Sequence, residues 1–283
     1  MSGSGSFVQL PHPGGEHRPD RDGHKAWTDY DSLHARKFMQ VRGRSIDGQG
    51  MERSGNLWAW GEWEAPSELL QRLDRPDSIH QPEYLWSPYY IGRPGGHARL
   101  HNTDPFIFGD RMLYSNCVQK HRKNLKRLER GSLIVFGSMK KHGWVLDTVL
   151  VVTDHADYLA EDARTALAGL VPDSFLEVTG GPLADNDTAE AFRLYRGATP
   201  DDPVDSMFSF IPAAPAGGSA GFKRPVIDLP EAFFTKGLRQ NCKISGCLAS
   251  ETLSELWRSI ADQVLNAGLL LGTHAVPPNK RRA

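Results

Sequence analysis

Apolar positions along this chain fall into short runs broken by polar, Pro- and Gly-rich stretches, and the period of the runs changes from place to place. "FVQL" (7–10) predicts a first strand. "SLIVFGS" and "WVLDTVLVV", joined by "MKKHG", predict the two strongest strands, and "LLLGTHAV" a last short one. "SMFSF" starts like a strand and runs into a Gly/Ala/Pro loop. In "SETLSELWRSIADQVLNAG", Leu253, Leu256, Trp257, Ile260, Val264 and Leu265 share one helical face, with Gly268 as a stop. Shorter helices are predicted over residues 29–39, 65–77, 118–130, 158–170 and 188–196, and an irregular loop over 79–101. No internal repeat and no regular strand–helix alternation appear, so the pattern predicts an α+β fold.

One stretch, "LWAWGEWE" (57–64), asks for more than packing. As a strand it puts Trp58, Trp60, Glu62 and Glu64 on one face, and Leu57, Ala59, Gly61 and Trp63 on the other. Two carboxylates beside two indoles need a partner: an Arg or Lys, a metal, water, or the edge of a ligand.

Composition narrows the class. The chain has 283 residues, 39% hydrophobic and 24% charged, with a formal net charge of −1. Residues 1–153 carry 21 Lys+Arg against 17 Asp+Glu, residues 154–205 carry 3 against 12, and residues 206–283 carry 9 against 5. That distribution excludes a global polyanion binder and leaves room for a local basic face. No apolar run is long enough to span a bilayer, so no membrane partner is expected. Three cysteines, Cys117, Cys242 and Cys247, argue against a disulfide framework. Together with an N-terminus lacking a secretory pattern, they predict a cytoplasmic protein.

The string "LKRLERGSLIVFGSMKKHGWVLDTVLVV" (125–152) resembles the core of PUA-like barrels, the group that includes ASCH, EVE and YTH domains. Ser132 stands where those domains often have Asp. More loosely, the whole chain is similar to bacterial proteins grouped with nucleotide-modification-associated domains. The resemblance implies a PUA-like mixed β-barrel with flanking helices, binding RNA or DNA, in some members by holding an extruded base in an aromatic pocket. On that reading residues 1–6 form a disordered start. Residues 7–276 form a single α+β domain, with a barrel core at about 55–153 and helical additions at about 154–276, and residues 277–283 form a disordered tail.

Candidate chemistry follows from residue type. Trp58 and Trp60 offer stacking surfaces for a base, and Asn102, Asp104 and Asn116, in "NTDP" and "YSNC", offer hydrogen-bonding edges. Lys120, Arg122, Lys123, Lys126 and Arg127, on the predicted helix 118–130, suit phosphates. "HPGGEH" supplies His12 and His17, which with Glu62 and Glu64 make an acid–base set. Cys117, at the start of the basic segment, is placed where a thiol pKa can be depressed. Asp147, inside an apolar strand, needs a buried partner. No P-loop, G-x-S-x-G or dinucleotide fingerprint is present, and neither a metal nor a cofactor is expected. The function expected first is base recognition on a nucleic acid or nucleotide. The alternatives are a base-releasing hydrolase on the same substrates, using Glu62, Glu64, His12 and His17, and a protein-interaction module whose acidic stretch 154–205 meets a basic partner.

Overall fold

The apolar run 133–152 forms the hairpin its composition predicts, and a mixed α+β fold is assembled around it. The computed structural model describes residues 4–12, 14–19, 35–75, 80–91, 103–186 and 189–282. Its main strands are Phe7–Pro11 (β1), Ala35–Ile46 (β2), Glu52–Glu62 (β3), Ser67–Arg72 (β4), Tyr84–Ile91 (β5), Leu113–Tyr114 (β6), Leu133–Lys140 (β7), Gly143–Leu159 (β8), Ala191–Gly197 (β9), Ile211–Pro215 (β10), Lys243–Ile244 (β11), Leu270–Ala275 (β12) and Asn279–Arg281 (β13). The long helix is Ser250–Asn266 (α1).

One sheet runs β11-β1-β7-β8-β9-β6, with β1 parallel to β7 and β8 antiparallel to both its neighbours. The other runs β12-β10-β3-β2-β5-β13, and β12 pairs again with β2, so β2, β3, β10 and β12 close a ring of four strands. Val149 of β8 exchanges backbone hydrogen bonds with Phe210 at 2.9 Å, which ties the sheets together just before β10. α1 buries Leu253, Leu256, Ile260, Ala261 and Val264 in a cluster with Phe7, Leu133 and Val135. Each of the Leu, Ile, Val and Phe side chains removed from water contributes about 1.5–3 kcal/mol. No helix among the described residues is long and apolar enough to cross a membrane.

Several expected elements are replaced. Of the helix predicted over 29–39, the described part belongs to strand β2, where Phe38 and Met39 enter different apolar clusters as alternation requires. Residues 67–72 form strand β4 in place of a helix, and β5 lies inside the predicted loop 79–101. The helix predicted over 188–196 is strand β9, held to β8 by Arg193–Asp157 at 2.6 Å and Arg196–Asp154 at 2.5 Å. Of the helix predicted over 158–170, β8 takes the start, and a 3₁₀ turn at Ala160–Asp162 runs into an α-helical turn at Ala163–Ala166.

The basic helix expected over 118–130 shrinks to a 3₁₀ turn at Lys123–Arg127. The cause is Tyr195, whose hydroxyl donates to the Leu125 carbonyl at 2.7 Å and accepts from the Leu128 N–H at 3.0 Å. Those backbone groups are thereby bonded to β9 instead of to a continuing helix.

Both ends also differ from expectation. Ser4–Gly5 pair with Leu248–Ala249, and β13 lies parallel to β5 with Arg281 bonded to Glu68 at 2.5 Å. The region 154–276, read as helical additions, supplies β9, β10 and β12 as well as α1.

Candidate active site and cationic cavity

The strand with the indoles lies against β2 in a register that sorts chemistry by position. Glu62 faces Arg36, Trp60 faces Phe38, and Trp58 faces Gln40. Trp58 donates to the Gln40 side chain at 3.1 Å and Trp60 to the Phe222 carbonyl at 2.9 Å. Both indoles are buried against Phe38, Leu73 and Leu85, so this part of the face is core. The carboxylate end of the face has the partner its chemistry demanded. Arg36, 1% exposed, donates to Glu62 at 2.5 Å, to Asp147 at 3.3 Å and to the backbone carbonyl of His12. Asp147 in turn accepts from Arg224 at 2.8 Å, which answers the question of a charged residue inside an apolar strand.

On the far side of Glu62 lies His12, at the end of β1. Its Nδ1 is 2.8 Å from the Glu62 carboxylate, and its Nε2 is 3.7 Å from the Cys117 sulfur. Both His12 and Glu62 are buried, whereas Cys117 is half-buried. The turn that presents Cys117 is held from below by Asp104, whose carboxylate accepts the N–H groups of Ser115 at 2.8 Å, Asn116 at 2.8 Å and Cys117 at 2.6 Å. Val118, the next residue, has a φ of 67°, a left-handed conformation costly for a β-branched side chain.

The other predicted residues scatter. Glu64 is buried beyond the end of β3, with its N–H donated to Thr103 at 3.2 Å. His17 packs its ring on Trp86 at 5.1 Å. The Asn116 amide donates to Ser115 at 2.7 Å, and Asn102 lies outside the described residues. Lys126 bonds to Glu190 at 2.7 Å and to the Ala191 carbonyl, and lies over Phe192. Lys120, Arg122, Lys123 and Arg127 are exposed, and none of these five basic residues lines the cavity described next.

That cavity, of about 230 Å³, is lined by Lys140, Lys223, Arg224, His80, His142 and Trp60, with Val145 and Val226 as apolar wall. Arg224 sits 5.3 Å from the Trp60 ring while its guanidinium also holds Asp147, so the cavity wall is continuous with the buried network around Arg36. Among the described residues the one carboxylate in its lining is Glu16, which accepts from Arg75 and from the backbone N–H groups of Glu83 and Tyr84. Burial, then Arg224, push the Lys140 ammonium down to about 8. Burial, then His142 and three neighbouring lysines, push the His80 imidazole below its usual range. Burial is the larger cause of both shifts, and the neighbouring cations add to it. This site was not legible in the chain, because its residues come from five separate segments.

No family model, curated protein or solved structure matches the chain. The site is therefore read from its own geometry. Among the described residues, no group of three or more His, Cys, Asp or Glu side chains is placed to hold a metal ion.

Beside the network, Lys37 is buried with its ammonium on the Ala65 carbonyl at 2.6 Å and the Ser67 hydroxyl at 2.8 Å. Burial pushes it down to about 7, with Glu64 opposing. The unfolded lysine titrates near about 10.4, so between those values the unfolded chain binds more protons and stability rises with pH. Lys37→Met is expected to remove that alkaline rise, read as melting temperature against pH for the two proteins.

Proposed function

We propose that the protein binds a phosphorylated nucleotide or nucleic-acid segment, with the cationic cavity as its phosphate site. The observation that carries this reading is the convergence of Lys140, Lys223, Arg224, His80 and His142 on one concavity walled by Trp60 and two valines. Cations fixed around a partly apolar hollow suit an anionic group attached to a flat or apolar body. Base recognition enters in a reduced form. Trp60 contributes part of the cavity wall beside Arg224, and Trp58 packs in the apolar cluster. The finer fold assignment, a PUA-like barrel, rests on the hairpin β7–β8 and the 3₁₀ turn before it; the closed ring is built from other strands.

Titration with nucleoside monophosphates and short single-stranded oligonucleotides tests the reading. Affinity is expected to fall as salt rises, and Lys223→Ala to weaken binding about tenfold or more, the worth of one charge-assisted hydrogen bond. Binding indifferent both to salt and to Lys223→Ala removes the cavity from the functional account.

A second reading, turnover of the same substrate class, is favoured by the contact of His12 with Glu62. Those two residues of the expected acid–base set meet directly. Product released from a bound nucleotide or oligonucleotide, and lost in Glu62→Gln, is its signature.

A further inference from the structure

We propose that Cys117, His12 and Glu62 form a nucleophilic triad that carries an acyl group as a thioester on the Cys117 sulfur. The inference stands apart from the phosphate site, because it rests on different residues. The three side chains come from the turn after β6, the residue after β1 and the end of β3, with a sequence separation of 105 between Cys117 and His12. Each has the position its role requires. Glu62 at 2.8 Å from Nδ1 selects the tautomer with the proton on Nδ1, which turns the Nε2 lone pair toward the sulfur 3.7 Å away. Arg36 clamps the Glu62 carboxylate and the His12 backbone at once, so carboxylate and imidazole hold one geometry. Asp104 fixes the Cys117 backbone N–H, and the left-handed Val118 sets the chain's exit from the turn.

A thiol with a purely structural role has no use for this arrangement. Here Cys117 is half-buried and the base behind it is buried, the combination a nucleophile needs. Cys242 shows the contrast: burial pushes its thiol up, with Arg122 opposing. The charged groups around the triad are Arg36 and Asp147 against Glu62 and His12, with Asp104 and Glu64 close by.

The chemistry balances without a further reactant except water. The Cys117 proton moves to His12 Nε2 as the sulfur attacks the carbonyl carbon of an ester, thioester or amide. A C–S bond forms, the bond to the leaving atom breaks, and His12 returns the proton to that atom. Water then attacks the thioester carbon and gives its proton to His12. The C–S bond breaks, and the thiolate regains a proton, leaving a carboxylic acid.

The test uses the full chain and its own cysteines as controls. Iodoacetamide is applied across a pH series and each cysteine is followed by peptide mapping. Cys117 is expected to react faster than the exposed Cys247 and to keep its rate below neutrality, where an ordinary thiol of pKa about 8.5 loses about tenfold per pH unit. With p-nitrophenyl acetate, a stoichiometric burst of nitrophenol is expected, with the acetyl group on Cys117. Cys117→Ser should abolish the burst, and His12→Gln should slow it about 10²-fold or more. Cys117 reacting more slowly than Cys247 with the pH climb of an ordinary thiol, or acetyl found only on other residues, overturns the proposal. The comparison among wild-type cysteines stands even where His12→Gln fails to fold. Phosphate-site binding is measured independently, so either reading can fail alone.

Discussion

Replacing Arg36 by leucine is expected to cost about 3–5 kcal/mol of folding stability, the penalty for breaking a buried ion pair by removing one partner. The guanidinium is 1% exposed and lies between Glu62 and Asp147. Burial opposes its charge, but Asp147 and Glu62 outweigh that and hold it above its ordinary pKa. Leucine fills part of the space and leaves two buried carboxylates short of their shared cation. Arg36→Lys should recover little, since one ammonium cannot reach two carboxylates and a carbonyl in a planar fork. Removing Glu62 as well, in Arg36→Leu/Glu62→Leu, should cost less than the sum of the single variants. Denaturant midpoints measure all three, and a loss under about 1 kcal/mol for Arg36→Leu would show that the guanidinium is not the network's shared cation. Acid should act in the same direction. Burial alone would raise the Asp147 carboxyl, yet Arg224 and Arg36 hold it below its usual range. The stability it contributes is present above its unfolded pKa and is lost as pH falls through the lower folded value.

Asp104→Ala is expected to be comparably damaging, by roughly 3 kcal/mol or more, because it strands three backbone donors at once. Asp104 is 1% exposed and accepts N–H groups from three consecutive residues. Water has little access to the buried Ser115 and Asn116 of that turn. The pH dependence of this group has the opposite sign to that of Asp147. Burial pushes the Asp104 carboxyl up to about 7 against the pull of its three donors. The folded state therefore binds the proton more tightly than the unfolded one, and this contribution to stability falls as pH rises from about 4 toward about 7. Asp104→Asn should lack that fall while keeping one acceptor oxygen, and melting temperature against pH separates the two. If the turn presents the thiol as proposed, Asp104→Ala should also slow Cys117 alkylation toward the rate of Cys247.

Between these residues and the sequence lies an uneven path. Strands β1, β7 and β8 were legible because long apolar or β-branched runs bury both faces and need no knowledge of a partner. Helix α1 was legible because its apolar stripe has a period no strand can use. The demand for a partner beside Glu62, whether cation, metal, water or ligand, and for a partner to Asp147, also followed from the residues alone, since a buried charge is costly unless paired.

What the chain could not announce was which cation, and which strand carried it. Residues 35–39 have apolar positions that fit a helix locally, yet their strand is paired along its edges by β3, β5 and β12, and Phe38 and Met39 enter different apolar clusters. Residues 191–197 became a strand because they pair with β8 and β6 and bury Phe192, Leu194 and Tyr195, with Asp154 and Asp157 meeting their arginines across the register. The basic segment lost its helix to a single hydroxyl, that of Tyr195, about 70 residues away in sequence. The meeting of His12, Glu62 and Cys117 depends on the same kind of event. Local propensity describes how a segment behaves by itself. Cross-strand register, burial on a second face and the placing of a sulfur beside an imidazole 105 residues distant are decided only when separate segments share one interior.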